Sequence, residues 1–447
     1  MNQRLGREPI GKLLIEFSIP AIIGSLIVML YSVIDRIFIG QRLGAMALAG
    51  VTLTFPFSQI AVSLGGLIGI GGSTLVAIKL GEGKKEECAR ITGNQISLFL
   101  IVCTLITITQ EFFLVEILSL MGGEGETLSY AVSYGRIFIP VIFFQCFTYG
   151  LNGVVRAQGF PKYAMTTSAI GAILNIILDY LFLFPLNMGV FGAGLATFIS
   201  SGIAAVFNLR FFLSGRYPMT IRLPHLRLRR SIVLSIVKLG ASAGLIQFSN
   251  AVVMGMYNSQ LNRFAGSDAI AAYGIFMTVH SLIIMVVMGI AQGGMQPIIG
   301  YNLGSKNYSR VREAIKLTLI YGVLLSALLM AIVQLFPTPI LRIFVDEPST
   351  IDIGVIAMRF GFSVVPLMIC SIIISGVYQA LGEAKTAFIF NFLRKIVIII
   401  PAVIILPQLM GINGIWFSRP LSDTVACFIM VIYLQKTMRD LKIKDSN

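Results

Sequence analysis

Two glycine-rich stretches decide how this chain folds. Residues 65–90 read GGLIGIGGSTLVAIKLGEGKKEECAR, and residues 289–312 read GIAQGGMQPIIGYNLGSKNYSRVR. Each stretch begins as an apolar run, reaches a Leu-Gly pair and ends in a basic segment. Gly is more frequent in membrane helices than in soluble ones, and short loops rich in Lys and Arg lie on the cytoplasmic side. Each stretch therefore predicts a membrane helix that ends in the cytoplasm.

The same order of features recurs about 223 residues apart along the chain. Further matches are Arg136 with Arg359, Gly159-Phe-Pro-Lys162 with Gly382-Glu-Ala-Lys385, and Gly189-Val-Phe-Gly192 with Gly411-Ile-Asn-Gly414. The spacing predicts two pseudo-symmetric halves of six helices in the same orientation. Transporters built in this way bind substrate between the halves and rock one half against the other. The alternative is an old gene duplication without a moving cavity.

The composition indicates an all-α integral membrane protein. Of 447 residues, 56% are hydrophobic and 12% are charged, whereas soluble domains carry about 25% charged residues. Apolar runs recur to the end of the chain, so a cleaved signal peptide does not explain them. A membrane helix needs roughly 20 apolar residues, and twelve segments qualify: 13–39, 48–78, 92–113, 130–156, 164–184, 188–213, 235–262, 270–300, 314–336, 353–380, 387–408 and 412–435.

The net charge of +14 is distributed over alternate short loops between the apolar runs. That pattern follows the positive-inside rule and does not indicate a nucleic-acid partner. It predicts a multi-pass inner-membrane or plasma-membrane protein with both termini in the cytoplasm. The domains expected are an N-terminal lobe at 1–213, a basic linker at 214–234, a C-terminal lobe at 235–437 and a tail at 438–447.

Nothing in the sequence indicates an enzyme. The five cysteines form no CxxC pair, so neither a metal site nor a disulfide framework is expected. A nucleotide-binding P-loop is also missing, because Gly81-Glu-Gly83-Lys84-Lys85 lacks the leading Gly and the Ser or Thr. We therefore expect transport without ATP hydrolysis and without an organic cofactor.

Two acidic residues lie inside predicted membrane helices of the first half. Asp35 is near the outer end of the first helix, and Asp179 is late in the fifth. Asn175 precedes Asp179 by four residues, so both lie on one helix face. Ionisable residues within the bilayer indicate function, and neighbouring carboxylates relieve their repulsion by sharing a proton or binding a cation. Alternatively, Asp35 pairs with Arg36, and Asp179 is an ordinary helix-end residue.

The second half carries a different set of charges. Arg419 and Asp423 are four residues apart in the last helix, and we expect them to pair. Arg394 and Lys395 lie within two turns of a cytoplasmic helix end and could extend towards the interface. Few other basic residues are interior. This argues against a lipid-linked saccharide flippase, which would hold its pyrophosphate with several Arg or Lys.

Several segments together resemble the multidrug and toxic compound extrusion (MATE) family, in its bacterial DinF- and MepA-like branch. The segments are Phe17-Ser-Ile-Pro20, Leu30-Tyr31-Ser-Val-Ile-Asp35-Arg-Ile-Phe-Ile-Gly40, Ala47-Leu-Ala-Gly50, Asn175…Asp179, Gly192-Ala-Gly194-Leu-Ala-Thr197 and Pro420-Leu-Ser-Asp423. The resemblance covers essentially the whole chain, and it implies export of organic cations and other drugs in exchange for protons or sodium ions.

The resemblance also implies which residues bind the coupling ion. They are Asp35, Asn175, Asp179 and Thr197, with Tyr134 and Asn152 as further candidates. A sodium ion, if that is the coupling ion, would bind at Asp35 and Asp179. Other branches carry acidic ligands in the second half as well, but the corresponding segment here has no carboxylate.

A polyspecific substrate cavity should be apolar and adaptable. Candidates to line it are polar or thioether side chains at membrane depth, namely Gln59, Gln247, Met256, Gln292 and Met295. Each could instead pack within a helix bundle. The expected partners are small amphipathic molecules and the lipid bilayer, with the protein acting as a monomer. A non-transporting membrane scaffold remains an alternative, although it gives no reason for two acids within the bilayer.

Overall fold

A computed structural model of the chain describes residues 3–120, 124–215, 219–345 and 347–446. These residues form helices and no strand. The helices are α1 (Gln3–Arg7), α2 (Ile10–Leu53), α3 (Phe55–Gly81), α4 (Lys85–Phe112), α5 (Leu114–Leu120), α6 (Gly125–Ala157), α7 (Pro161–Leu183), α8 (Gly189–Leu213), α9 (Arg230–Met288), α10 (Gln296–Gly304), α11 (Tyr308–Leu335), α12 (Pro337–Arg342), α13 (Pro348–Gly361), α14 (Val365–Ala380), α15 (Ala384–Phe392), α16 (Ile399–Met410) and α17 (Ile412–Ser446).

Three short elements interrupt this series of α-helices. A 3₁₀ turn covers Leu223–Leu226, and π-helical segments cover Gly289–Met295 and Leu393–Ile398. The π segments continue α9 into α10 and α15 into α16, so each lies inside a longer helical rod. π-bulges occur frequently at functional sites.

The 59-residue helix α9 is a hairpin of two membrane helices. The rings of Tyr257 and Tyr273 stack with centroids 5.1 Å apart and an interplanar angle of 1°. In one straight helix, residues with this spacing would be separated by about 24 Å along the axis. The chain must therefore reverse between the two tyrosines, as the predicted helices 235–262 and 270–300 require.

The structure confirms the twelve predicted membrane helices. Among the described residues, ten helical rods are long and apolar enough to cross a membrane, and the bent pair α13 and α14 makes an eleventh. The first arm of α9 is the twelfth. Span boundaries differ from the prediction by several residues. The predicted segment 48–78 lies after a break at Gly44 (φ 84°), where α2 is kinked, and it extends into α3.

The packing divides the chain into two units. The first contains Met1–Leu5 and Ile19–Gly240, and the second contains Gly6–Ser18 and Ala241–Asn447. Each contains six of the twelve spans. The division differs from the predicted lobes in two respects, because residues 6–18 pack with the second unit and residues 235–240 pack with the first. Gly6 and Gly11 make the packing of residues 6–18 possible, since their missing side chains leave room for Tyr301 and Tyr321.

The glycines of the quoted 65–90 stretch let three helices of the first unit cross closely. A Cβ atom on Gly69 would lie 2.6 Å from the Cα of Gly150, so α3 and α6 are in backbone contact. Gln95 of α4 donates from Nε2 to the carbonyls of Gly69 and Gly150, at 3.5 and 3.4 Å. Small residues at such crossings are the usual means of packing membrane helices.

The basic linker folds onto the first unit. Asn94 of α4 donates to the carbonyls of His225 and Arg227 at 3.3 and 3.2 Å, and its Oδ1 accepts from the backbone N–H of Arg229 at 2.7 Å. Ser97 donates to the carbonyl of Leu226 at 2.6 Å. The described part of the linker, from residue 219, is therefore held by Asn94 and Ser97 of α4.

Candidate functional site

The first unit brings the two intramembrane acids together. Asp35 lies on α2 and Asp179 on α7, and their carboxyl groups are within hydrogen-bonding reach of each other. Asp179 is fully buried. Both of its carboxyl oxygens and Oδ1 of Asp35 are inaccessible and accept no hydrogen bond from the described residues. Two facing carboxyl groups without a donor need a proton or a cation between them.

Asn175 and Thr197 extend this pair into a polar cluster. Asn175 lies one turn before Asp179 on α7 and donates from Nδ2 to the hydroxyl of Thr197 on α8, at 3.2 Å. The Thr197 hydroxyl donates in turn to the carbonyl of Ala193 at 3.1 Å. These bonds leave Oδ1 of Asn175 buried and without a donor. The amide oxygen is thus available, like the carboxyl oxygens, to a proton-bearing group or a cation.

Two tyrosines lie beside the acids. Tyr134 of α6 is buried, interacts electrostatically with both carboxyl groups and contacts Thr197 through its hydroxyl. Tyr31 of α2 also interacts with both acids, and it lies one turn before Asp35. Sequence reasoning missed Tyr31 as a site residue. Its spacing of four from Asp35, which repeats that of Asn175 and Asp179, was the signal that could have found it.

Apolar side chains pack around the cluster and keep water from it. The Tyr134 ring stacks on Phe138 at 5.2 Å. Both belong to a core that α2, α6, α7 and α8 share, with Ile39, Ala47, Val141, Leu183, Val190 and Ala193. Gly194 permits this packing, since a Cβ there would lie 3.3 Å from the Cβ of Ile137 on α6. In such surroundings electrostatic interactions are stronger than in water.

The structure does not bring Asn152 to this cluster. Its Oδ1 accepts from Nδ2 of Asn208 at 2.8 Å, and its own Nδ2 donates to the hydroxyl of Ser168 at 3.4 Å. Asn208 also donates to the carbonyl of Thr148 at 3.4 Å. Asn152 therefore belongs to a separate network of neutral groups that joins α6, α7 and α8.

The residues predicted to line a substrate cavity differ in how deeply their side chains are buried. The side chains of Gln59 and Gln247 lie outside the described residues. Met256 and Gln292 are half-buried, and Gln292 donates to the sulfur of Met288 at 3.3 Å. Met295 is completely buried, so it can contact a substrate only if its neighbours move.

The expected pairing in the second unit is wrong. Asp423 pairs with Arg394, with 3.5 Å between Oδ1 and Nη1, instead of with Arg419. Arg419 approaches Nε2 of His280 at 2.8 Å and lies over the rings of Tyr257 and Phe276. The i,i+4 spacing could not reveal this, because the partners come from three other segments of the chain. Interior basic residues, expected to be few and scattered, thus gather at one place.

Comparisons with known proteins agree with this architecture. The MatE family model matches residues 20–181 and 243–405, one range in each half. Multidrug export protein MepA of Staphylococcus saprophyticus subsp. saprophyticus is 28% identical over 433 residues, which cover 96% of this chain and 94% of the relative.

Solved structures are similar over nearly the full length. A crystal structure of MATE in the bent conformation matches with a TM-score of 0.93 and 25% identity, over 100% of this chain and 99% of that one. An outward-facing conformation of a multidrug resistance MATE family transporter of the MOP superfamily matches with a TM-score of 0.92 and 25% identity, over 98% of each chain. Because the family model covers most of both halves, the chain belongs to the MatE family, as a MepA-like membrane transporter.

Proposed function

We propose that this protein exports small amphipathic, mostly cationic molecules in exchange for protons or sodium ions. The relative from Staphylococcus saprophyticus is named a multidrug export protein, and we extend that activity to this chain. The observation that carries the proposal is the facing pair of carboxyl groups of buried Asp179 and half-buried Asp35, whose inaccessible oxygens accept no hydrogen bond from the described residues. A purely structural membrane protein would gain nothing from such a pair.

The pair supplies a physical basis for coupling. With both carboxyl groups ionised, repulsion between them favours a separation of α2 from α7. When a proton or a sodium ion lies between them, that repulsion is removed and the two helices can pack together. The ion thereby shifts the balance between two conformations, by as much as its affinity for them differs.

Alternating access completes the mechanism. An ion that enters from outside favours the conformation that releases drug outwards, and return to the inward-facing state delivers the ion to the cytoplasm. We place both termini in the cytoplasm, on the basis of the distribution of Lys and Arg. We further propose that the protein acts as a monomer in the lipid bilayer and binds no nucleic acid.

The test is ethidium efflux from proteoliposomes, with a proton gradient and a sodium gradient imposed separately. We expect Asp35→Asn and Asp179→Asn to lower gradient-driven efflux at least about ten-fold, because an amide cannot bind and release the ion. The matched control is Asp352→Asn, which changes an exposed acid on α13. Undiminished efflux in both site variants would disprove the proposal. The gradient that drives efflux by the wild-type protein, of protons or of sodium ions, identifies the coupling ion.

A further inference from the structure

The second unit contains a cluster of basic side chains for which the cation exchange above has no use. Arg394 and Arg419 are 7% and 6% exposed, and Lys395 beside them is half-buried. The two arginines interact electrostatically with each other and with Asp423. Lys395 donates from Nζ to Oδ1 of Asn250 at 2.9 Å. The cluster lies within membrane-spanning helices, where charged side chains are costly and indicate function.

The charges of this cluster do not balance. A guanidinium is always protonated in proteins, so Arg394 and Arg419 carry two positive charges against one carboxylate. His280 contributes no negative charge and, since Arg419 can only donate, its Nε2 must accept and the ring is neutral. Lys395 adds a further positive charge when it is protonated. Among the described residues near the cluster, Asp423 is the single acid.

Hydrogen-bond donors in the cluster are also left without acceptors. Nε of Arg394, Nε of Arg419 and the indole N–H of Trp416 are buried and have no partner among the described residues. The rings of Tyr257 and Phe276 lie 5.7 and 5.8 Å from the guanidinium of Arg419 and soften its charge. The hydroxyls of Tyr257 and Tyr273 also interact with this guanidinium, but its Nε has no acceptor among the described residues. Buried donors of this kind are normally satisfied, so each calls for an acceptor.

The backbone at the cluster departs from a regular α-helix. Arg394 and Lys395 lie in the π-helical segment Leu393–Ile398. Ser422 of α17 supports that segment by donating to the carbonyl of Arg394 at 2.7 Å. Within this segment the two consecutive basic residues contact different partners, Arg394 with Asp423 and Lys395 with Asn250. π-bulges of this kind occur frequently at functional sites.

We propose that the second unit binds the oxyanion of an amphipathic organic anion at Arg394, Lys395 and Arg419. Carboxylate, sulfonate and phosphate groups present several acceptor oxygens, which match guanidinium, ammonium and indole donors. The aromatic rings of Tyr257, Tyr273, Phe276 and Trp416 pack beside these donors and offer an apolar contact for the rest of the ligand. Half-buried Lys395 connects the cluster to the accessible surface.

The oxyanion has two possible sources, which one assay can separate. A free amphipathic solute and an anionic phospholipid headgroup present the same acceptor oxygens. The probe is radiolabelled taurocholate, a sulfonate on a steroid body, and its equilibrium binding is measured on the full-length protein in phosphatidylcholine nanodiscs without any ion gradient. Because no transport is involved, the result does not depend on the Asp35–Asp179 proposal.

We expect saturable taurocholate binding that Lys395→Gln and Arg419→Gln each weaken about ten-fold or more, the effect of losing one charge-assisted hydrogen bond. Lys395→Gln is the safer variant for folding, since Lys395 is half-buried. The matched control is Arg342→Gln, an exposed arginine on α12, which should bind as the wild type does. If wild type, Lys395→Gln and Arg419→Gln bind equally, or if none binds, the site is disproved for solutes.

A second arm tests the lipid source. Nanodiscs of phosphatidylglycerol replace those of phosphatidylcholine, and native mass spectrometry measures the lipid retained by the purified protein. Phosphatidylglycerol that displaces taurocholate and is retained by the wild type but not by Lys395→Gln assigns the site to a headgroup. Taurocholate binding unaffected by phosphatidylglycerol assigns it to a solute. Failure of both probes to distinguish the wild type from Lys395→Gln overturns the proposal.

Discussion

At the scale of single residues, the three aspartates inside the membrane have two kinds of surroundings. Asp35 and Asp179 face each other, and buried oxygens of both lack a hydrogen-bond donor. Asp423 instead pairs with a buried arginine. A carboxylate that already has a permanent counter-charge has little reason to bind a second cation, whereas a pair of facing carboxyl groups requires one. For this reason we place the proposed cation exchange in the first unit and not in the second.

Thr197 links the cluster around the acids to α8, and its replacement should lower the stability of the protein. Thr197→Val removes the acceptor of the Asn175 amide and the donor to the Ala193 carbonyl. We expect a loss of about 1–3 kcal/mol in the free energy of unfolding, because a buried amide donor is left unsatisfied. Thermal unfolding can be followed with a thiol-reactive dye, since the thiols of Cys88, Cys103 and Cys427 are buried in the folded protein.

The conservative variant is the control for this prediction. Thr197→Ser keeps the hydroxyl, so it should retain most of the stability that Thr197→Val loses. Equal unfolding temperatures for the valine variant and the wild type would show that the bond between Asn175 and Thr197 contributes nothing.

Tyr31 should tune the affinity of the site for its ion. Its electrostatic interaction with both carboxyl groups predicts that Tyr31→Phe lowers the apparent ion affinity for driven efflux about two- to ten-fold, which corresponds to roughly 0.4–1.4 kcal/mol. Initial rates of efflux against the concentration of the driving ion measure this. The matched control is Tyr180→Phe, because Tyr180 follows Asp179 directly but is 56% exposed. An equal shift in both variants would contradict a specific role for Tyr31.

At the scale of helices, close crossings in the first unit depend on glycine. α3 and α6 meet at Gly69 and Gly150, and Gln95 of α4 spans the crossing with two hydrogen bonds. α6 also carries Tyr134, so the crossing contributes to the position of a site residue. The Gly-rich composition of these helices reflects close packing as well as membrane location.

Gly150→Ala tests this crossing. An added Cβ would lie 2.3 Å from the ring of Phe99 and 3.2 Å from the Cα of Gly69, so the helices must separate. We expect a loss of about 1–3 kcal/mol, typical of an overpacked core, measured by thermal unfolding. Gly274→Ala is the matched control, because no atom of the described residues lies within 4 Å of its Cβ position. If both variants unfold at the wild-type temperature, the crossing is not tightly packed.

At the scale of the whole molecule, residues 6–18 belong to the second unit. Arg310 of α11 donates to the carbonyl of Glu8, and its Nε donates to Oδ1 of Asn302 at 3.1 Å. Gly294 lets Leu14 and Ser18 approach the first π segment, since a Cβ there would lie 2.3 Å from the Ser18 hydroxyl. Residues 6–18 are thus held by specific contacts with the second unit, although in sequence they belong to the predicted first lobe.

Arg310→Ala should release these residues. We expect faster proteolysis between residues 3 and 9, because the carbonyl of Glu8 loses its charged donor. Limited proteolysis with N-terminal sequencing measures the cleavage rate. Lys316→Ala, an exposed basic residue on the same helix, is the control. Unchanged cleavage in Arg310→Ala would mean that other contacts suffice to hold the segment.

The sequence by itself determined the helix count, the duplication and the two acids of the first half. These follow from local properties of the sequence. The length of an apolar run identifies a membrane span, and an ionisable residue within such a run is recognisable because it is rare there. Only the tertiary structure decided that Asp35 meets Asp179, that Asn152 lies elsewhere and that Asp423 pairs with Arg394. Those outcomes depend on which helix faces come together, and neighbours across helices are specified by packing of the whole bundle, which the spacing along one helix does not reveal.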